Sequence, residues 1–203
     1  MQRDGLISPH GNFDQRKFTK GQEIVKMKSI SGDHLFVDRI TYNFRRPSRG
    51  EIIVFETKNI PDMASDQLGQ FYIKRLVALG SERVRIGDDR HLVINGRRLD
   101  SSTPHFENVY SFDSEKVPAD SSYSGHVNGR FIGEYARYFS DANSEFTVPT
   151  DHYMVMGDNT LNSADSRRWG PFPRENVIGK AFFVYWPIGA QEFRASRFGL
   201  GNR

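Results

Sequence analysis

Phe71-Tyr-Ile-Lys-Arg-Leu-Val-Ala-Leu79 reads as a single β-strand, and the reading of the whole chain follows from how its side chains alternate. With a period of two, Tyr72, Lys74, Leu76 and Ala78 share one face, while Phe71, Ile73, Arg75, Val77 and Leu79 share the other. Lys74 therefore stands among apolar neighbours. Enclosure of that kind strips water from the ammonium, disfavours the charged form and lowers the pKa toward neutrality, which is the condition for a general base. The plain alternative is a lysine whose methylenes cover apolar surface while its nitrogen reaches water.

Upstream, His34-Leu-Phe-Val-Asp38 and Glu51-Ile-Ile-Val-Phe-Glu56 are short β-branched and aromatic runs. They are separated by the basic turn Arg45-Arg-Pro-Ser-Arg-Gly50, expected to be solvated rather than bound to phosphate or lipid headgroups. Downstream come Arg83-Val-Arg-Ile86 and His91-Leu-Val-Ile94, then the tight-turn pair Asn95-Gly96. Residues 100–146 change texture to serine and scattered aromatics, with a second hairpin signal at Asn128-Gly129. The aromatics are expected to form a small satellite core under long loops rather than a peptide groove. Strand patterning returns at His152-Tyr-Met-Val-Met156, and residues 177–187 are apolar enough for a central strand. The expected fold is mainly β: an antiparallel β core at 32–99 and 147–203, a smaller inserted β-rich subdomain at 100–146, and a polar lead-in at 1–31.

Composition narrows the function classes. A chain of 203 residues has room for one sizeable core with an appendage. Its 28 Lys and Arg against 25 Asp and Glu leave +3, too small an excess for a dedicated nucleic-acid binder. There is no cysteine, which removes disulfides, thiol catalysis and cysteine metal sites. The histidines, at 10, 34, 91, 105, 126 and 152, show no ligand spacing, and no glycine-rich phosphate cradle occurs, so neither metal nor cofactor is expected. The longest apolar run, residues 181–190, is too short to span a bilayer, so the chain itself is expected to be soluble.

A second stretch carries chemistry. Gly157-Asp-Asn-Thr-Leu-Asn-Ser-Ala-Asp-Ser-Arg-Arg-Trp-Gly170 follows a strand and concentrates hydrogen-bonding side chains in one loop. Asp165 and Arg167 are spaced for a local charge-assisted pair, and a serine hydroxyl here suits a neutral lysine arriving from elsewhere; the bland alternative is a self-satisfied turn.

Taken in order, Gly32-Asp-His-Leu-Phe-Val37 with Tyr42, Arg49-Gly-Glu-Ile-Ile-Val-Phe55, Tyr72-Ile-Lys-Arg75, and the run from Gly157 to Arg167 with Trp169-Gly170 closely resemble the ordered boxes of bacterial type I signal peptidases. The ending Phe193-Arg-Ala-Ser-Arg-Phe-Gly199 is also similar. The resemblance implies a serine endopeptidase that removes signal peptides from secretory preproteins at Ala-X-Ala-like sites through a Ser-Lys dyad. Lys74 then matches the general base and Ser163 the hydroxyl that orients it. Asp165 and Arg167 match a supporting salt bridge, Gly157, Asp158 and Asn159 shape the loop, and Tyr72 and Ile73 line substrate pockets. It also implies a full-length protein at the bacterial cytoplasmic membrane, with the catalytic part on the periplasmic side and in contact with the membrane surface.

Three departures stand out. Gly80-Ser81-Glu82 replaces the family's usual Pro-Gly-Asp turn, and Thr160 replaces a usual arginine. The nucleophile's box, Ser-Met-X-Pro-Thr, has no match in residues 1–31, so the chain is expected to start after the nucleophile and to be inactive alone. Two other readings remain open: a Ser-Lys self-cleaving repressor-type domain, and a non-catalytic β module that binds extended peptides along a strand edge.

Overall fold

The computed structural model describes residues 34–186 apart from residue 119; the lead-in and the 193–199 ending lie outside the described residues. The strands are β1 (His34–Asp38), β2 (Ile52–Glu56), β3 (Phe71–Ala78), β4 (Arg83–Ile86), β5 (Leu92–Ile94), β6 (Arg97–Arg98), β7 (Glu145–Thr147), β8 (His152–Met156), β9 (Phe172–Pro173) and β10 (Val177–Trp186). Two one-turn helices join them, α1 (Gly129–Ile132) and α2 (Ser166–Trp169). All described pairings are antiparallel, in a six-stranded sheet ordered β1-β10-β2-β3-β8-β9 and a four-stranded sheet ordered β6-β5-β4-β7. The fold is mainly β, as the sequence patterning requires.

The apolar run at 177–187 supplies β10, which pairs with β1 on one side and β2 on the other, inside the first sheet. The second sheet takes strands from both sides of residues 100–144: β4, β5 and β6 before them and β7 after them. Asn95 and Gly96 adopt φ of 50° and 82°, the left-handed pair that closes β5 onto β6. Asn128-Gly129 does not make a hairpin. Asn128 instead caps α1, its side chain accepting the Arg130 amide, because its Nδ2 is drawn to Ile86 O and Asp88.

Two cores lie on the two faces of β3 and β8. Ile53, Phe55, Ile60, Leu76, Val155, Trp169 and Phe172 form one. Val77, Ala78, Val84, Ile86, Leu92, Phe106, Tyr110, Phe139, Met154 and Met156 form the other. Along β8 the assignment alternates strictly, with Tyr153 and Val155 in the first core and Met154 and Met156 in the second. On β3 the alternation breaks: the register shifts between Leu76 and Ala78, so Val77 and Ala78 both enter the second core. Three insertion aromatics, Phe106, Tyr110 and Phe139, are buried there, each worth about 1.5–3 kcal/mol relative to exposure.

The arginine turn before β2 is not simply solvated. Glu51, 4 % exposed, receives Arg45 at 2.6 Å, Lys180 of β10 at 2.9 Å and the Ser48 amide at 2.8 Å. Burial opposes ionisation of this carboxyl, but these donors outweigh it and bring the pKa down to about 2. Arg49 pairs with Glu82 at the other end of β3 and also donates to Val77 O.

Candidate active site

β2 pairs with β3 along its full exposed half, from Ile52 opposite Arg75 to Glu56 opposite Phe71. β8 meets β3 only from Arg75 onward, so the other edge of residues 71–74 has no strand on it among the described residues. Lys74 is the last residue of that half-open segment. Its Nζ donates to Ser163 Oγ at 3.0 Å, across 89 positions of sequence. Burial lowers the lysine pKa; Asp165 and Asp158 oppose the shift, Arg167 adds to it, and the net direction is down.

Ser163 is held from behind. The loop from β8 to α2 folds around Asp165, which is fully buried and accepts the Gly157 amide at 3.0 Å, caps α2 through the Arg167 amide, and takes a bidentate grip from Arg167 at 2.9 and 2.7 Å. Desolvation would raise the Asp165 pKa, but Arg167 and the hydrogen bonds, Ser163's among them, hold it below the usual carboxylate range. Ser163 Oγ meets the lysine N–H with a lone pair, two residues before the buried Asp165 to Arg167 pair. In that arrangement the hydroxyl receives one N–H of the lysine, and the lysine's own lone pair, once deprotonated, is available to another hydroxyl.

Arg167 Nη1 donates to Val127 O at 3.2 Å and to Thr160 Oγ1 at 2.9 Å, while Thr160 Oγ1 also takes the Val127 amide at 3.0 Å. The threonine that stands where the resemblance implies an arginine therefore ties the loop to the insertion. A second clamp lies beside the first. Arg75 is buried and grips Asp158 at 2.8 and 2.7 Å, and its Nη1 reaches Gly50 O at 2.8 Å and His105 O at 2.7 Å. Burial raises the Asp158 pKa but Arg75 overrides it, and the group stays below its ordinary value. A lysine cannot make this four-way fork. Arg75→Lys should lower stability by about 1–3 kcal/mol, read as a lower denaturant midpoint at constant slope.

Of the residues singled out in the sequence, Lys74, Gly157, Asp158, Ser163, Asp165 and Arg167 come together. Tyr72 lies on the lysine's face, its ring 6.0 Å from Nζ, and packs edge-on against Phe55. Ile73 points the other way and is 39 % exposed beside the more exposed Phe71. Asn159 does not join the lysine: its amide donates to Tyr123 Oη at 3.2 Å and its oxygen accepts from Asn162. Sequence spacing did not reveal the Arg75 to Asp158 clamp, since partners 83 positions apart leave no local signature. Among the described residues no group of three or more His, Asp or Glu side chains is placed to hold a metal ion, and no helix is long and apolar enough to cross a membrane.

A family model described as signal peptidase, peptidase S26, matches residues 24–186. The chain belongs to the signal peptidase family. Among curated relatives it is 33% identical over 156 residues to a signal peptidase I from Leptolyngbya laminosa, covering 77% of this chain and 61% of that protein. It is 31% identical over 187 residues to a signal peptidase I from Aquifex aeolicus, covering 77% and 70%. A crystal structure of a signal peptidase I from Enterococcus faecalis is 28% identical with a TM-score of 0.42, over 67% of this chain and 97% of that one. The chain thus spans about three fifths of the Leptolyngbya signal peptidase.

Within this cluster, Gly157 has a steric role. A Cβ there would collide with Ser163 Oγ, come to 2.7 Å from Ser163 Cβ and stand 3.5 Å from Lys74 Nζ. Gly157→Ala should therefore push Ser163 off the lysine, and a displacement of about 1 Å at a reacting group costs about 100-fold in rate. The check is kcat in a cleaving form of the protein, with circular dichroism showing the sheet intact.

Proposed function

We propose that this chain is the catalytic module of a signal peptidase, cleaving signal peptides from secretory preproteins at Ala-X-Ala-like sites by a Ser-Lys mechanism. The observation that carries the reading is the desolvated Lys74 Nζ at 3.0 Å from Ser163 Oγ, on a loop tied down by the buried Asp165 to Arg167 pair. Lys74 takes the proton of the attacking serine as general base and returns it to the leaving amine as general acid. Ser163 fixes the lysine's direction, Asp165 and Arg167 hold the loop that carries Ser163, Gly157 leaves room for its hydroxyl, and Asp158 is clamped nearby by Arg75. The unpaired edge of residues 71–74 offers backbone groups to an extended substrate, with Tyr72 on the lysine's side and Ile73 on the other.

In this reading the attacking serine is absent from the chain, because no Ser-Met-X-Pro-Thr box stands in its sequence, and Ser163 is the orienting hydroxyl rather than the nucleophile. The working protein then sits at the bacterial cytoplasmic membrane with this module on its outer side. Incubating the chain with an Ala-X-Ala peptide, alone and within a protein that supplies the serine box, tests both parts. Cleavage is expected only in the second case. Turnover by the chain alone would overturn the missing nucleophile, and no turnover in either would overturn the peptidase assignment.

A further inference from the structure

We propose that the cleft between the arginine turn and the β8–β9 end of the first sheet binds a phosphate group, free in solution or carried on a lipid headgroup. The proposal goes beyond the peptidase reading and does not rest on it. The cleft, about 430 Å³, is lined by Phe44 and Arg46 of the turn before β2, by Tyr153 of β8, and by Arg174 and Glu175 just after β9, among others. Tyr153 shares a sheet face with Val155, which pairs with Leu76, and Leu76 in turn shares its face with Lys74. Two fully buried core residues thus separate the cleft from the lysine.

The Tyr153 hydroxyl is the built part of the site. The ring packs in the first core and the residue is 6 % exposed, yet the hydroxyl has no hydrogen-bond partner among the described residues and is not sealed from solvent. Burial raises the Tyr153 pKa while the positive charges of Arg46 and Arg174 oppose the rise, so both guanidiniums stand near a hydroxyl that keeps its proton at neutral pH. An O–H held there needs an acceptor.

The arginines differ in what they have left to give. Arg45 is engaged, with Nη1 and Nη2 both on Glu51 and Nη1 also on Arg46 O. The Arg46 guanidinium makes no hydrogen bond or ion pair among the described residues. Arg174 has only Asp151 at 3.3 Å, and both side chains are exposed, so that pair is weak. One hydroxyl and two guanidiniums, donors throughout, are matched by a ligand with several acceptor oxygens and negative charge, which is the form of a phosphate. Glu175 is the one carboxylate in the lining and opposes it. Phe44, 86 % exposed, adds apolar surface that the glycerol and acyl chains of a lipid would cover and a free anion would not. Spacing alone makes the turn read as solvated; the buried hydroxyl on a distant strand changes that reading.

The test uses two-dimensional NMR of the whole chain, following the Arg46 Nε–H and the Tyr153 ring, each assigned by its loss in Arg46→Gln or Tyr153→Phe. Sodium phosphate is expected to shift both signals saturably, where sodium chloride at the same ionic strength does not. Arg46→Gln, read at the tyrosine ring, should weaken phosphate by about tenfold, and Tyr153→Phe, read at the arginine, by about threefold, the second change removing only an oxygen and keeping the ring in the core. Glu175→Gln should tighten phosphate by about twofold, a gain that damage to the fold cannot imitate. Phosphatidylglycerol vesicles fix the source: displacement of phosphate from the parent but not from Arg46→Gln assigns a headgroup, and no displacement assigns free phosphate. The absence of a saturable shift, an equal response to chloride, or affinities unchanged in Arg46→Gln and Tyr153→Phe would overturn the site.

Discussion

Lys74→Met, placed in a protein that supplies the serine box, should abolish signal-peptide cleavage and at the same time raise thermal stability near neutral pH. The activity loss follows from removal of the proton acceptor, a contribution of about 100- to 10,000-fold for a positioned general base, and more where base and nucleophile act as a unit. The stability gain follows from the same burial that makes the lysine a base. A folded-state pKa below the unfolded value means that the folded protein binds fewer protons, so stability rises with pH between the two values. Below the lowered pKa the charged lysine is a cost, and methionine, similar in length and uncharged, removes it. The midpoint of Lys74→Met should exceed that of the parent by about 2–4 °C per kcal/mol relieved, and the gap should close as pH approaches the lysine's ordinary value of 10.5. Activity of the parent should likewise climb with pH, with a midpoint below 10.5. A variant that retains turnover, or a gap that widens with pH, contradicts the assignment.

Arg167→Met should be the most damaging single change to folding in the catalytic loop. The guanidinium and the Asp165 carboxylate are both 0 % exposed, so removing one leaves the other as a bare buried charge. Losses of about 3–5 kcal/mol are usual for that event, equivalent to about 10 °C in a chain of this size. Two other partners also fail together, because Arg167 holds Val127 O and Thr160 Oγ1. The folded-state pKa of Asp165 is depressed, so its stabilisation is present above the unfolded value of about 3.9 and disappears as pH falls through the lower folded value. In Arg167→Met the depression is gone, and acid unfolding should begin at higher pH. Calorimetry across pH 3–7 measures both effects, and a shift below about 1 kcal/mol would mean that the pair is not the keystone described.

How much of this was legible before the fold is best seen at particular residues. The strand at 71–79 could be read because its period of two is local, and the apolar density of 177–187 placed it inside a sheet. Asp165 and Arg167 could be read because two positions separate them. Arg75 and Asp158 could not, and neither could the reach of Arg167 into residue 127 of the insertion, since closure over 83 and 40 positions leaves no mark in spacing. Asn128-Gly129 misled because the same dipeptide suits a hairpin or a helix cap, and the choice was made by Asp88, 40 positions away.

The register shift at the end of β3 has a consequence for how the molecule comes apart. Leu76 is bound to one core while the next two residues, Val77 and Ala78, are bound to the other. Neither core can melt without pulling the shared strand out of the other, so the two should denature as one cooperative unit, with coincident transitions by near- and far-ultraviolet circular dichroism. Lys74 sits two residues before that junction, on ground that yields only when everything does.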